Sequence, residues 1–80
     1  MDRDTVTQKL TDVFRKTFAN DKLSLNDAMT ADDVEGWDSL THINLILAVE
    51  KAFNLRFSTR EVRGLKNVGN LIALVQSKAA

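Results

Sequence analysis

One serine stands directly behind an aspartate at the start of the most apolar stretch of the chain: Asp38-Ser39-Leu40, inside Gly36-Trp37-Asp38-Ser39-Leu40-Thr41-His42. Aspartate is a preferred helix cap, because its carboxylate accepts an amide proton that the first turn leaves without a partner. Ser39 is then the first helical residue, beside four unpaired N–H groups and the positive end of the helix dipole. A hydroxyl in that place is suited to holding a phosphate. Taken alone, Asp-Ser-Leu before an apolar run is only a helix start, since capping selects those residue types.

The other polar residues offer little chemistry. There is one histidine and no cysteine, so disulfides and thiolate zinc sites are excluded. His42 falls on the core side of its helix, where a packed, hydrogen-bonded role is expected, and one helix face cannot supply a Ser/His/Asp triad. Asp27, Asp32, Asp33 and Glu35 lack the alternating spacing and glycine of a calcium loop. No nucleotide loop or acid–base pair occurs, so an enzyme is not expected.

What must position Ser39 is a set of helices. Val6, Leu10, Val13, Phe14, Thr17 and Phe18 recur at three- and four-residue spacing, giving an amphipathic helix over about residues 4–19 with Asp4 or Thr5 as its cap. Residues 20–38 have no sustained period. Leu23, Leu25, Met29, Val34 and Trp37 would pin this long crossover to the bundle. The second helix runs from Ser39 to Phe53. At about 100° per residue, His42, Ile43, Ile46, Val49 and Phe53 form its core face, with Leu45 at the edge. Leu40, Asn44, Leu47 and Lys51 fall opposite, and two leucines on an outer face suggest a contact surface.

Ser58 and Glu61 form a capping box for a short third helix that Gly64 stops. Asn67 caps a last helix with Val68, Leu71, Ile72, Leu74 and Val75 on its buried side. Gly69 in its first turn costs up to about 1 kcal/mol against alanine. No stretch alternates with period two and no proline occurs. The expected fold is all-α, three main helices and one short one, in a single domain over residues 1–80.

The motif Gly36-x-Asp38-Ser39-Leu40, followed by an amphipathic helix ending in Glu50-Lys51-Ala52-Phe53, resembles the acyl and peptidyl carrier-protein family. The likeness covers nearly the whole chain and includes the helix start Val68-Gly69-Asn70-Leu71. It implies a four-helix carrier bundle in which Ser39 bears 4′-phosphopantetheine as a phosphodiester. It further implies that Asp38 serves transferase recognition besides capping, with Leu40 completing the motif. The implied partners are a phosphopantetheinyl transferase and acyl-loading or acyl-processing enzymes of the acyl-AMP ligase, acyltransferase and ketosynthase classes. Leu40, Asn44, Leu47, Lys51, Arg60 and Arg63 are the residues expected to meet them. Trp37 is expected to anchor the loop before Ser39 or to touch the arm.

Charge separates this chain from the fatty-acid members that it resembles, whose second and third helices are rich in carboxylates. Eleven acids balance eleven bases, and the third segment carries Arg56, Arg60, Arg63 and Lys66 against Glu61. That favours a specialised carrier for polyketide, modified lipid or glycoconjugate synthesis. A peptidyl or aminoacyl carrier is the alternative, although Asp38 before the serine leans against it. A non-carrier helical interaction module is the alternative of another class. Net neutrality gives no general affinity for nucleic acid. No apolar run approaches the ~18 residues of a membrane span, and Met1-Asp2-Arg3-Asp4 opens no signal peptide. A cytoplasmic monomer is expected.

Overall fold

Each α-helix begins on a side chain that accepts an amide proton of its own first turn. In the computed structural model, which describes residues 2–79, α1 is Arg3–Thr17, α2 is Ser39–Phe53, α3 is Thr59–Arg63 and α4 is Val68–Lys78. Met1, which opens the N-terminal stretch read above, and Ala80 lie outside the described residues. The caps are Asp2, Asp38, Ser58 and Asn67, taking protons from the amides of Thr5, Thr41, Glu61 and Asn70. The periodicity of α1 points to Asp4 or Thr5 as its cap. Asp2 does that work instead, and α1 starts at Arg3, two residues before an Asp4 cap would start it. The Ser58–Glu61 capping box is present, and Gly64 closes α3.

Helix α1 packs on both α2 and α4. Val6, Leu10 and Phe14 face Leu45, Ile46, Val49 and Phe53 of α2 and Val68, Leu71, Ile72 and Val75 of α4 in one core. The α2 face is rotated from the expected one. Leu45 is fully buried rather than at an edge, while Ile43 is 56% exposed. The buried stripe centres on Val49 and Phe53, and Ile43 lies about 100° around the helix from it. Leu74 is only half-buried.

The crossover between α1 and α2 is pinned to the bundle by its own apolar side chains. Its side chains Met29 and Val34 enter the core, and Leu23, Leu25 and Trp37 pack against it. A 3₁₀ turn over Ala31–Asp33 has its own capping box, in which Thr30 and Asp33 satisfy each other's amides. The backbone carbonyls of Met29 and Asp27 accept the N–H groups of Val68 and Gly69 at 2.8 and 3.0 Å. The first turn of α4 is therefore capped by the loop as well as by Asn67. A Cβ on Gly69 would stand 3.0 Å from the Asp27 carbonyl oxygen. Close approach, rather than helix preference, explains that glycine.

Two ties hold the short α3. Glu50 of α2 accepts the amide of Phe57 at 2.8 Å just before it. Lys78 of α4 meets Glu61 at 3.0 Å, with both side chains still partly open to water. No helix among the described residues is long and apolar enough to cross a membrane.

Candidate functional site

The loop before Ser39 is held by an aromatic cluster. Trp37 packs edge-on against Phe14 with ring centroids 5.5 Å apart, and lies 5.7 Å from Phe18. On its other side it stacks on His42, and its indole N–H donates to His42 Nδ1 at 3.1 Å. A turn in which the Trp37 amide donates to the Val34 carbonyl sets the approach, with Gly36 at φ +88°. That is a backbone region glycine occupies without steric cost. Trp37 is thus an anchor for the loop that leads into Ser39.

Asp38 has extended backbone, and its Oδ1 accepts the Thr41 amide at 2.8 Å. This backbone hydrogen bond holds the Asp38 carboxyl below its ordinary value of 3.8, so the group is anionic at neutral pH. Its main-chain carbonyl accepts the His42 amide at 2.8 Å, which closes the first helical bond. Ser39 follows as the exposed first residue of α2. Nothing about its place is used for packing.

Ser39 opens onto a groove of about 780 Å³ between the start of α2 and the α3–α4 connection. Trp37, Asp38, Ser39, His42 and Ile43 line one side of it, with Ala31 near them in sequence. Arg63, Leu65, Lys66, Asn67 and Leu71 come from α3, the following connection and α4. Indole, isoleucine and leucine surfaces therefore share a cleft with three ionic groups. Among the described residues there is no cluster of three or more His, Asp or Glu side chains that could hold a metal ion.

The residues singled out from sequence divide into two places. Asp38 and Ser39 sit together at the groove, with Leu40 next to them and 69% exposed. Leu47 is 58% exposed, and Asn44 and Lys51 are exposed on the same outer side of α2. Arg60 and Arg63 are exposed on α3, and only Arg63 reaches the groove. Sequence patterning missed Ile43 and Lys66 as groove residues. The spacing of Ile43 groups it with the core face, whereas Lys66 lies beyond the Gly64 stop, where no helical period places a side chain.

Known proteins with the same pattern can be identified. No family model matches the chain. An acyl carrier protein of Buchnera aphidicola subsp. Acyrthosiphon pisum, strain 5A, is 33% identical over 66 residues, which is 82% of this chain and 81% of that protein. The acyl carrier proteins of strains Tuc7 and APS match with the same identity and coverage. Among solved structures, the holo acyl carrier protein of Geobacter metallireducens, determined by solution NMR, superposes with a TM-score of 0.86. It is 40% identical, and the match covers 91% of this chain and 84% of that one.

Proposed function

Because the chain belongs to the acyl carrier protein family, a family of carriers and not of enzymes, we propose that Ser39 carries a covalent 4′-phosphopantetheine arm. The observation that bears most weight is the placement of Ser39. It is exposed, it is the first residue of a capped 15-residue helix, and it borders an open groove. The residues there fit such a group. The hydroxyl is accessible for ester formation, the helix start favours a phosphate, and the groove has room for a chain of amides and methylenes. When bound, the arm supplies a thiol that holds an acyl group as a thioester.

Each neighbouring residue has a role that its geometry supports. Asp38 fixes the helix start and stays anionic beside the serine, which supports a part in transferase recognition. The Trp37–His42 pair ties the incoming loop to the first turn of α2, which supports presentation of Ser39 from an anchored loop. Leu40 and Leu47, with Ile43 between them, form an exposed apolar strip on α2. Asn44 and Lys51 flank it, and Arg60 and Arg63 add positive charge on α3. We assign this surface to the phosphopantetheinyl transferase and to acyl-AMP ligase, acyltransferase and ketosynthase partners. Fatty-acid partners that dock carboxylate-rich carriers would meet like charge at Arg60 and Arg63, which disfavours encounter. That supports a specialised lipid, polyketide or glycoconjugate pathway, with the carrier acting as a cytoplasmic monomer.

The test is intact mass after incubation with coenzyme A, magnesium and a broad-specificity phosphopantetheinyl transferase. Wild type gains one phosphopantetheine and Ser39→Ala gains none, while both keep the same helical circular dichroism. Alanine is an excellent helix former at that exposed position. An adduct on Ser39→Ala would refute the assignment.

A further inference from the structure

The groove beside Ser39 has two cations that the bundle itself does not use. Among the described residues the side-chain ion pairs are Arg3–Asp27 and Lys78–Glu61, and neither includes Arg63 or Lys66. Both nonetheless line the groove that Ser39 and Asp38 border. Asp38 already places one negative charge there, held ionised by the Thr41 amide. A phosphodiester on Ser39 would add a second, close to the first.

Resting on the assignment of the arm to Ser39, we propose that Arg63 and Lys66 hold its phosphodiester. In this role they are positioning residues that lay the arm along the groove. The charge count supports it: with the arm in place, two anions (Asp38 and the phosphodiester) face two cations. Arg63 offers a planar fork of donors suited to phosphate oxygens, and Lys66 offers a mobile point charge. Beyond the charged end, Ile43, Leu65 and Leu71 give the apolar part of the arm a surface to lie on. Without the cations, repulsion from Asp38 would favour an arm extended into water. Arg60 differs from Arg63 here: it is exposed on the same short helix but does not line the groove.

The experiment compares amide chemical shifts and the ³¹P resonance of the apo and holo forms. Wild type, Arg63→Gln with Lys66→Gln, and Arg60→Gln are each loaded to completion with excess transferase and checked by mass. In wild type, loading shifts the amides of Ile43, Leu65, Asn67 and Leu71 as well as those next to Ser39. In the double variant the shifts at Leu65 and Leu71 fall several-fold and the ³¹P line sharpens, whereas Arg60→Gln behaves as wild type. Raising salt on the wild type reproduces part of that loss, because the charges are exposed. An adduct whose shifts stop at the residues beside Ser39, or whose Leu65 and Leu71 shifts survive in the double variant, would overturn this inference alone. Absence of any adduct on wild type would overturn the carrier assignment, and this inference with it. Unchanged apo spectra away from the substituted sites establish that the variants are folded.

Discussion

Trp37 Nε1–H donates to His42 Nδ1 at 3.1 Å, and the two rings stack with their planes 20° apart. This one pair joins the end of the long crossover to the first turn of α2, across the Asp38 cap. It also fixes the neutral histidine tautomer, since an Nδ1 that accepts leaves the proton on Nε2.

Replacing Trp37 by phenylalanine keeps a ring against Phe14 and Phe18 but removes the donor. The expected loss is about 1 kcal/mol for the hydrogen bond, read by chemical denaturation. Trp37→Ala also removes the aromatic contacts and should cost clearly more. Equal midpoints for the two variants would show that the ring contacts contribute nothing.

Phe53 and Leu47 test the rotation of α2. Phe53 is 8% exposed, with Lys9 Nζ 5.5 Å above its ring, and Leu47 is open to solvent. Phe53→Ala should cost about 3–5 kcal/mol, a large part of what a domain of this size has. Leu47→Ala should leave the thermal midpoint nearly unchanged and slow transfer to partner enzymes.

Acid should destabilise the helix starts before anything else. Asp2 and Asp38 lie below their ordinary 3.8 because the Thr5 and Thr41 amides donate to them. Glu61 lies below 4.5 through the Ser58 amide and then Lys78. A folded value below the unfolded one means stability that is present above the unfolded value and is lost as pH falls through the folded one. Melting temperature should therefore hold steady above about pH 5 and decline below it. Asp38→Asn keeps a capping acceptor without a titrating group, and its decline should be shallower.

Ala19 follows α1 at φ +52°, with the Asn20 amide donating to the Arg15 carbonyl at 2.9 Å. A side chain in that region costs on the order of 1 kcal/mol, and Ala19 is exposed, so removing its methyl gives up little burial. Ala19→Gly should raise the melting temperature by roughly 4 °C or more. Gly69→Ala should fail to give the gain that helix preference predicts, because its Cβ meets Asp27. A clear rise in its melting temperature would mean that the loop gives way freely.

Docking charge is tested at Arg60, which lies outside the groove. Arg60→Glu should improve acyl transfer to a primary fatty-acid ketosynthase at low salt, and the gain should shrink as salt rises. Wild-type transfer already as fast as that of the ketosynthase's own carrier would remove the case for a specialised pathway.

The local chemistry of Asp38-Ser39, Ser58-x-x-Glu61 and Asn67 sufficed to place three of the four helix starts, because a cap acts within its own first turn. The 3.6-residue period of Leu10, Phe14, Val49 and Phe53 likewise identified core faces, since a helix must bury its apolar side. Thr30-x-x-Asp33 has the same kind of capping signal, though it heads only a single 3₁₀ turn without apolar periodicity. What the chain's order leaves open is how helices rotate and what long-range neighbours they meet. Ile43 or Leu45 could each have flanked the core stripe, and packing against α1 and α4 decided for Leu45. The donor for His42 comes from a loop with no period of its own, and the reason for Gly69 is a carbonyl 42 positions earlier in the chain, at Asp27. Ser39 stands out as the candidate site from its neighbours in sequence. That Arg63 and Lys66 share its groove follows only from α3 and its connection being tied back against α2 and α4, through Glu50 and Lys78.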